Sequence, residues 1–431
     1  MTPGRATRSA VLALALAALA SGCSTRARDN PLDPRNRATH GMLTGFNALA
    51  ADGVVELRWP LLTQEGVEGY HVQRWRPGAT PLLLPGAAFP SYVGATEDFD
   101  VANDSTYVYR LVALFATGDS AVSPPDTATP GTIRVAALTA DPAGFAALTP
   151  DLRDLFYTIS TKAAYDDVAL DRNRGWFWLS SFGRGLIERR RFNGTIVGPQ
   201  IPVDGPDALT VTTGRGIVWA ARLHGEQVVS YTSDTLAVDP NFTIYLTNLE
   251  PTAVDADNGD GSVWVGTSSG LLEQVAASTG ITSRVWQLPG GIVALATDES
   301  YHGAWVAVHD ADLFDLYYVA AVETDAGPPV REGLLDVIDL AVDPLTHSVW
   351  VSERGSANAG NGRLTRIATG GQIEATLGGI EPYGLALLSG SSDCWVTDLR
   401  SNRVLEVSPA GVVVRRSITM GLPYRVVVYR P

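Results

Sequence analysis

Six tryptophans recur along this chain at a nearly constant interval, and this repeat constrains the fold more than any other feature. They are separated by 41, 45, 41, 45 and 45 residues: Trp178, Trp219, Trp264, Trp305, Trp350 and Trp395. A second short apolar segment precedes each of them, as residues 253–256 (Ala-Val-Asp-Ala) precede Trp264. A period of this length with strand-like content predicts one small antiparallel sheet per repeat. Such a sheet is open on both faces until neighbouring sheets cover it.

Sheets that cover one another in a ring form a β-propeller, and we expect this all-β fold for residues 133–431. A tryptophan at the same place in every sheet fills the wedge between neighbours. A further first strand begins at Pro423, just before the chain ends. It cannot bury itself alone and must pair with strands near the start of the domain, such as residues 133–138. The sequence contains six complete repeats but seven first strands, so it is compatible with either six or seven blades.

Composition narrows the classes of function. The chain has 431 residues, a formal net charge of -14 and one lysine, Lys162. An acidic chain without a basic run is a poor candidate for binding nucleic acid or for docking on anionic lipid, so we expect no nucleic-acid partner. Two cysteines, Cys23 and Cys394, form no disulfide framework. Cys394 replaces a valine of other repeats and is expected to be a buried apolar residue.

The N-terminus has the layout of a secretory signal. Arg5 and Arg8 precede an apolar run, and residues 20–22 (Ala-Ser-Gly) lead directly into Cys23. This pattern resembles the lipobox of bacterial lipoproteins, which implies a signal peptide over residues 1–22 and a lipid-anchored Cys23. Ser24 implies retention in the outer membrane. The alternative is an ordinary signal peptide with an incidental cysteine. Residues 23–41 are polar and read as a tether.

Residues 42–130 show short alternating strands that predict a separate β-sandwich. The unit resembles a fibronectin type III domain. In that resemblance Trp59 matches the core tryptophan of the second strand and Tyr107 the corner tyrosine. Tyr70 and Tyr109 match core aromatic residues.

The propeller repeats resemble those of the NHL and lactonase-like families, most closely in Val349–Glu353 and Cys394–Asp398. In those families the loop after each tryptophan strand borders the channel mouth. Here these loops carry the candidate ligand-binding residues His224, His309, Asp310, Glu353, Arg354, Asp398 and Arg400. The lactonase-like resemblance implies a divalent cation such as calcium, for which Glu353 and Asp398 are the candidate ligands. The lyase-like alternative pairs His309 with Glu353.

The same loops are also compatible with a solvated surface on which Arg354 and Arg400 pair with Glu353 and Asp398. The acidic stretch Asp255–Gly261 lacks the ligand spacing of a calcium loop and is expected to be a hairpin turn. Two classes of function therefore remain. The first is a lipid-anchored scaffold without a cofactor that binds a protein or glycan. The second is a cation-dependent hydrolase or lyase that acts at the channel mouth.

Overall fold

The structure is a computed structural model, and it describes the residues in the following ranges: Leu32, 41–62, 66–84, 88–223, 225–235, 243–246, 249–355, 360–388 and 390–429. Cys23, the predicted signal peptide (residues 1–22) and His224 lie outside these residues. The chain divides into two compact units. The first comprises Met1–Ala48, Glu56–Phe99 and Thr106–Ala128, and the second comprises Leu49–Val55, Asp100–Ser105 and Thr129–Pro431.

Both units are built from antiparallel strands. The described residues contain no α-helix, and the one helical element among them is a 3₁₀ turn at Phe182–Arg184. Within the same ranges no helix is long and apolar enough to cross a membrane. The all-β class predicted from the repeat is therefore confirmed.

Nine strands between residues 47 and 128 form two sheets. They are β1 (Asn47–Ala50), β2 (Val55–Arg58), β3 (Val67–Trp75), β4 (Leu82–Leu83), β5 (Phe89–Pro90), β6 (Ala95–Asp98), β7 (Tyr107–Phe115), β8 (Ser120–Val122) and β9 (Asp126–Ala128). One sheet has the order β1-β2-β6, and the other has the order β4-β3-β7-β8, with β5 also paired to β3 and β9 to β7.

Aromatic side chains fill the core of this unit. Trp59 is 5% exposed, and its ring centroid lies 5.8 Å from that of Tyr70 and 5.7 Å from that of Phe89. Tyr70 and Tyr109 are fully buried, as expected of the aromatic positions in alternating strands. The Tyr109 hydroxyl donates a hydrogen bond to Asp98 at 2.9 Å.

The described residues of the second unit contain 28 strands. They are β10 (Arg134–Ala140), β11 (Ala143–Leu148), β12 (Leu155–Ser160), β13 (Asp167–Asp171), β14 (Trp176–Ser181), β15 (Leu186–Arg191), β16 (Ile201–Pro202), β17 (Pro206–Thr212), β18 (Ile217–Arg222), β19 (Gln227–Thr232), β20 (Ile244–Tyr245), β21 (Pro251–Asp257), β22 (Ser262–Thr267), β23 (Leu271–Ala276), β24 (Ile281–Gln287), β25 (Gly291–Asp298), β26 (Gly303–Asp310), β27 (Leu313–Ala320), β28 (Arg331–Leu334), β29 (Val337–Val342), β30 (Val349–Glu353), β31 (Arg363–Ile367), β32 (Ile373–Gly378), β33 (Pro382–Leu387), β34 (Cys394–Asp398), β35 (Arg403–Val407), β36 (Val413–Arg416) and β37 (Pro423–Tyr429).

These strands form seven four-stranded sheets. Six of them take consecutive strands, from β13–β16 to β33–β36. The seventh has the order β12-β11-β10-β37 and so joins the two ends of the unit. Each first strand contacts the first strand of the next sheet, in the order β13, β17, β21, β25, β29, β33 and β37, and β37 also contacts β13. The sheets therefore succeed one another in a closed ring, with the closing strand paired as the sequence predicted.

The repeat tryptophans occupy one structural position. All six are 0–1% exposed, and each lies in the second strand of its sheet. The residue paired with the tryptophan on the first strand is small in most sheets, as Ala296 is opposite Trp305. A small residue leaves room for the indole, which then packs against the next sheet. In the third sheet Trp264 also stacks on Trp286, with ring centroids 5.1 Å apart.

The turns between first and second strands also follow the sequence expectation. β21 ends at Asp257 and β22 begins at Ser262, so the acidic stretch forms a hairpin turn. Gly261 closes that turn at φ 76°, in the left-handed region that glycine enters without steric cost. Cys394 is fully buried, and burial raises the pKa of its thiol well above the usual value. It is therefore an apolar core residue and not a reactive thiol.

Candidate functional site in the central channel

Glu353 is the first of the residues that the sequence nominated for the channel rim. It is the last residue of β30 and is fully buried. Its Oε1 accepts hydrogen bonds from Arg363 Nε at 2.8 Å and Thr365 Oγ1 at 2.6 Å. Its Oε2 accepts from Arg363 Nη2 at 2.8 Å and from the Leu335 amide at 2.9 Å. These four donors occupy the carboxylate and bind β30 to β31 and to the segment before β29.

Asp398 has the equivalent position at the end of β34 and is 3% exposed. Its Oδ1 accepts the backbone N–H groups of Glu381 at 2.9 Å and Arg400 at 3.1 Å. Its Oδ2 accepts the Ser401 hydroxyl at 2.5 Å. The side chain thus holds the turn that follows β34 against the start of β33. Neither Asp398 nor Glu353 belongs to a group of three or more potential metal ligands among the described residues, and the cation site assigned to them stays a prediction.

The side chains of the other nominated residues that the structure describes have partners other than these two carboxylates, or are exposed. The guanidinium of Arg354 pairs with Asp336, with Nε 2.8 Å from Oδ2, and Arg400 Nη1 donates to the Gly379 carbonyl at 3.4 Å. The structure therefore does not pair these two guanidinium groups with Glu353 and Asp398, as the surface alternative expected. His309 is exposed and stacks on Phe314 with centroids 4.4 Å apart, and Asp310 is exposed at the end of β26.

A cavity of about 380 Å³ occupies the middle of the ring and is lined by the first strands of all seven sheets. This volume falls within the range of small-molecule sites. A second cavity of about 430 Å³ continues the channel toward the hairpin turns, where Asn258 and Glu299 line it. The charged side chains of the first cavity include Asp167, Asp255, Asp339 and Arg425.

The three aspartates tie neighbouring sheets together. Each accepts the backbone N–H of the next first strand at 2.8 Å: Asp167 from Leu209, Asp255 from Thr297, and Asp339 from Leu385. The other oxygen of each carboxylate accepts the N–H of the following residue in its own strand. Burial raises the pKa of Asp167 and of Asp255 to about 6, and it raises the pKa of Asp339 as well. These side chains therefore serve as links between sheets along the channel wall.

Arg425 carries the positive charge of this cavity. It projects from the closing strand β37, with Nε 3.5 Å from Asp167 Oδ1 and Nη1 3.4 Å from Asp339 Oδ2. Burial lowers the pKa of Arg425, but the carboxylates of Asp339 and Asp167 outweigh it and hold that pKa above its usual value. The side chain is 28% exposed, and the exposed part faces the channel that it lines. The last strand thus places a fixed guanidinium in the centre of the ring.

Two tyrosines stand beside this guanidinium. The Arg425 guanidinium carbon lies 5.8 Å from the centre of the Tyr383 ring, within the range of a cation–π contact. The rings of Tyr383 and Tyr424 meet edge to face with centroids 6.4 Å apart. The Tyr424 hydroxyl donates to the carbonyl of Tyr165, which fixes its orientation. Arg425 lines the cavity, and the two tyrosines adjoin Arg425 beside the cavity lining; these three residues are called the channel triad below.

The sequence analysis missed this triad because it looked to the loops after the tryptophan strands. One signal was present in the sequence. Arg425 interrupts a run of valine and tyrosine in β37, and a charged residue in a strand that faces the centre of a ring must contact either counter-charges or the channel. The partners of Arg425 could not be read from that signal, since they come from strands far away in the chain.

Comparison with known proteins finds solved structures that share the fold of this chain. No family model and no curated protein sequence matches the chain. A solved chain of hydrazine synthase from Kuenenia stuttgartiensis is 12% identical, with a TM-score of 0.53 over 61% of this chain and 89% of that one. A functionally unknown protein from Desulfotomaculum acetoxidans is 11% identical, with a TM-score of 0.55 over 69% and 99%. AztD from Citrobacter koseri is 10% identical, with a TM-score of 0.52 over 69% and 97%.

The second unit is a β-propeller. The similar structures and the repeated four-stranded sheets agree on this point. Sequence identities of 10–12% to these structures show a shared fold but no shared function, because one propeller architecture supports many functions. The function of the chain has to be argued from the channel itself.

Proposed function

We propose that this chain is an exported, lipid-anchored binding protein of the bacterial cell envelope, held at the outer membrane. In this proposal residues 1–22 are a signal peptide, Cys23 carries the lipid and residues 23–41 are the tether. Residues 42–130 form a fibronectin type III-like spacer, and residues 133–431 form a seven-bladed propeller that presents the ligand site. The two sheets of the first unit support the spacer and the seven sheets of the second support the propeller, while the signal peptide, the lipid and the tether rest on the sequence pattern.

One observation carries the choice of binding over catalysis. Glu353, Asp398 and the three aspartates of the channel wall already accept hydrogen bonds from protein donors on both oxygens, as Glu353, Asp398 and Asp255 show. A general base or cation ligand needs an oxygen lone pair directed at the substrate or the ion. Carboxylates that hold sheets together are poor candidates for either task, so a fixed binding surface is the better account of this channel.

The channel triad indicates the chemistry of the ligand. Aromatic rings beside a few fixed polar groups are typical of sites that bind a polar small molecule in one orientation. The cavity is concave and of small-molecule size, which suits the end of a glycan chain better than the flat surface of a protein. We therefore propose a glycan terminus as the ligand, with its hydroxyl groups bonded to Arg425 in the cavity and a sugar ring reaching Tyr383 beside it.

A glycan array probed with the full-length chain tests this proposal. We expect retention of a defined set of glycans, and Tyr383→Ala should weaken it at least about tenfold because an aromatic anchor is lost. Tyr245→Ala is the matched control, since Tyr245 is 68% exposed on β20 at the outer edge of its sheet. A wild-type chain that retains no glycan, or a Tyr383→Ala variant that binds as wild type does, would refute the proposal.

The membrane anchor has a separate test. We expect Cys23→Ser to move the protein from the membrane fraction to the soluble fraction, because acyl chains on Cys23 supply the hydrophobic attachment. Detergent extraction and immunoblotting of fractionated cells measure this shift. As control, Cys394→Ser alters a buried thiol of the propeller and should leave the distribution unchanged. Equal membrane association of wild type and Cys23→Ser would mean that Cys23 is incidental.

A further inference from the structure

A mixed group of metal-ligating side chains lies at the hairpin turns, outside the channel triad. Asp257 ends β21 and is fully buried, while Asp260 is exposed in the turn that follows. His302 comes from the corresponding turn of the next sheet, and its Nδ1 lies 3.0 Å from Asp257 Oδ2. One ligand atom from each of the three residues lies within 4.8 Å of the others. The described residues contain no other such group of three.

The hydrogen bonds around the two carboxylates leave one oxygen of each directed at this point. Asp257 Oδ1 accepts the backbone N–H groups of Gly259 at 2.8 Å and Asp260 at 3.3 Å, so Oδ2 is the oxygen that faces the imidazole. Asp260 Oδ1 accepts the Ser262 amide at 2.8 Å, and its Oδ2 has only a long contact of 3.5 Å, to Gln274 Nε2. The turn thus fixes Asp257, holds Asp260 through one short hydrogen bond and keeps one oxygen of each carboxylate available.

We propose that Asp257, Asp260 and His302 bind a divalent transition-metal cation of the Zn²⁺ or Mn²⁺ class. Bonds of about 2.0–2.2 Å place neighbouring ligands roughly 3–3.5 Å apart, which the separation of Asp257 and His302 already meets. Asp260 is exposed and can rotate to complete the set. An imidazole with two carboxylates suits these ions, whereas Ca²⁺ prefers six to eight oxygen ligands. Water would fill the remaining positions.

The local charge supports a cation. Asp298 ends β25 and Glu299 follows it in the hairpin that also carries His302. The charge of Asp298 acts on the His302 imidazole, as do those of Asp257 and Asp260, and Glu299 Oε1 accepts a hydrogen bond from Asn258 Nδ2 at 3.1 Å. Asp257 pairs with His302 and Asp298 pairs with His347. The turns thus gather four carboxylates around two imidazoles, and a divalent ion would offset this excess of acidic groups.

The next turn of the ring provides a natural control. His347 Nδ1 lies 3.1 Å from Asp298 Oδ1, in the same relation as His302 to Asp257. Where the first pair has Asp260, the second has Tyr301, whose ring lies 4.1 Å from that of His347. This second pair therefore has the imidazole and one carboxylate but lacks the third ligand.

Both histidines also occupy a backbone position that accepts glycine. His302 has φ 53° and His347 has φ 63°. Glycine holds the same place, three residues before the tryptophan, in three other turns: Gly175, Gly216 and Gly261. A histidine-to-glycine change there removes a ligand and also relieves the left-handed strain, so the variants should fold.

Isothermal titration of the full-length chain, purified without a histidine tag, tests the inference with ZnCl₂, MnCl₂ and CaCl₂. We expect one site for Zn²⁺ or Mn²⁺, and at least about a tenfold weaker site for Ca²⁺. His302→Gly and Asp260→Asn should each weaken the transition-metal site at least about tenfold, while His347→Gly should stay within about twofold of wild type. Melting curves of each variant without metal establish that it is folded.

A gain of function completes the test. Tyr301→Asp supplies the missing carboxylate to the Asp298 and His347 pair, and we expect the stoichiometry to rise from one ion to two. No binding of Zn²⁺ or Mn²⁺ by wild type would overturn the inference. Equal loss in His302→Gly and His347→Gly, or none in either, would do the same. Glycan binding at the channel triad is independent of each of these outcomes, so this inference and the proposed function fail separately.

Discussion

Removal of residues 423–431 is expected to abolish the cooperative unfolding of the propeller and to make the chain aggregate. The deletion removes β37, which pairs with β10 along six residue pairs, among them Ala136 with Val427. It also removes Val426 and Val428, which are buried against Trp395. The exposed edge of β10 would then present unpaired backbone groups to other chains. Calorimetry and size-exclusion chromatography measure the two effects.

A smaller deletion is the control for this experiment. Removing only residues 430 and 431 leaves β37 complete, and the shortened chain should melt as wild type does. A soluble, monomeric chain without residues 423–431 that melts at the wild-type temperature would mean that the ring closes within six sheets. In that case the six-blade alternative from the sequence repeat would be correct.

Trp264→Ala is expected to lower the free energy of unfolding by about 3–5 kcal/mol, the usual range for truncating a large buried aromatic side chain. Trp264 is fully buried, and it packs in a cluster with Leu272, Ile292 and Val306. Its stacking partner Trp286 would lose one face of its contact. Chemical denaturation of the purified chain measures the change.

Tyr245→Ala again serves as the control, because Tyr245 is 68% exposed and its truncation should change stability by less than about 0.5 kcal/mol. An unfolding midpoint of Trp264→Ala equal to that of wild type would show that the repeat tryptophans are not the core of the propeller. A loss of similar size in both variants would point to an effect that has no relation to the ring.

Most of the fold could be predicted from the sequence because its sheets repeat. Trp178 and the five tryptophans that follow mark the second strand of each sheet, since a ring of similar sheets needs the same large side chain at the same wedge. The incomplete last repeat at Pro423 likewise predicts its partner, because one strand cannot bury itself. The number of blades could not be predicted in this way, because only six repeats carry the tryptophan. The sheet that joins the two ends of the unit, β12-β11-β10-β37, has no tryptophan at this position.

The candidate site was predictable only in part, and the reason is physical. Glu353 and Asp398 lie at equivalent ends of their strands, as the sequence suggested. Whether such a carboxylate faces a ligand or a neighbouring strand depends on its donors, and those of Glu353 come from Arg363, Thr365 and Leu335. No periodicity reveals these contacts.

His302 illustrates the same limit. Three other turns have glycine at this position, three residues before the repeat tryptophan, because the backbone there is left-handed. The histidine is therefore a departure that can be seen in the sequence. The partner Asp257 lies in the preceding sheet, 45 residues away. Only the ring places the two side chains together, because corresponding turns of neighbouring sheets meet at the same end of the channel.

The closure of the ring is the central claim of this account, since it brings Arg425 of β37 between Asp167 and Asp339. Native-state hydrogen exchange followed by mass spectrometry tests it most directly on the unaltered chain. We expect peptides from β37 and from β10 to exchange as slowly as those from β25, which lies within the ring. Rapid exchange of β37, with β25 still protected, would contradict the closure and with it the position of the channel triad.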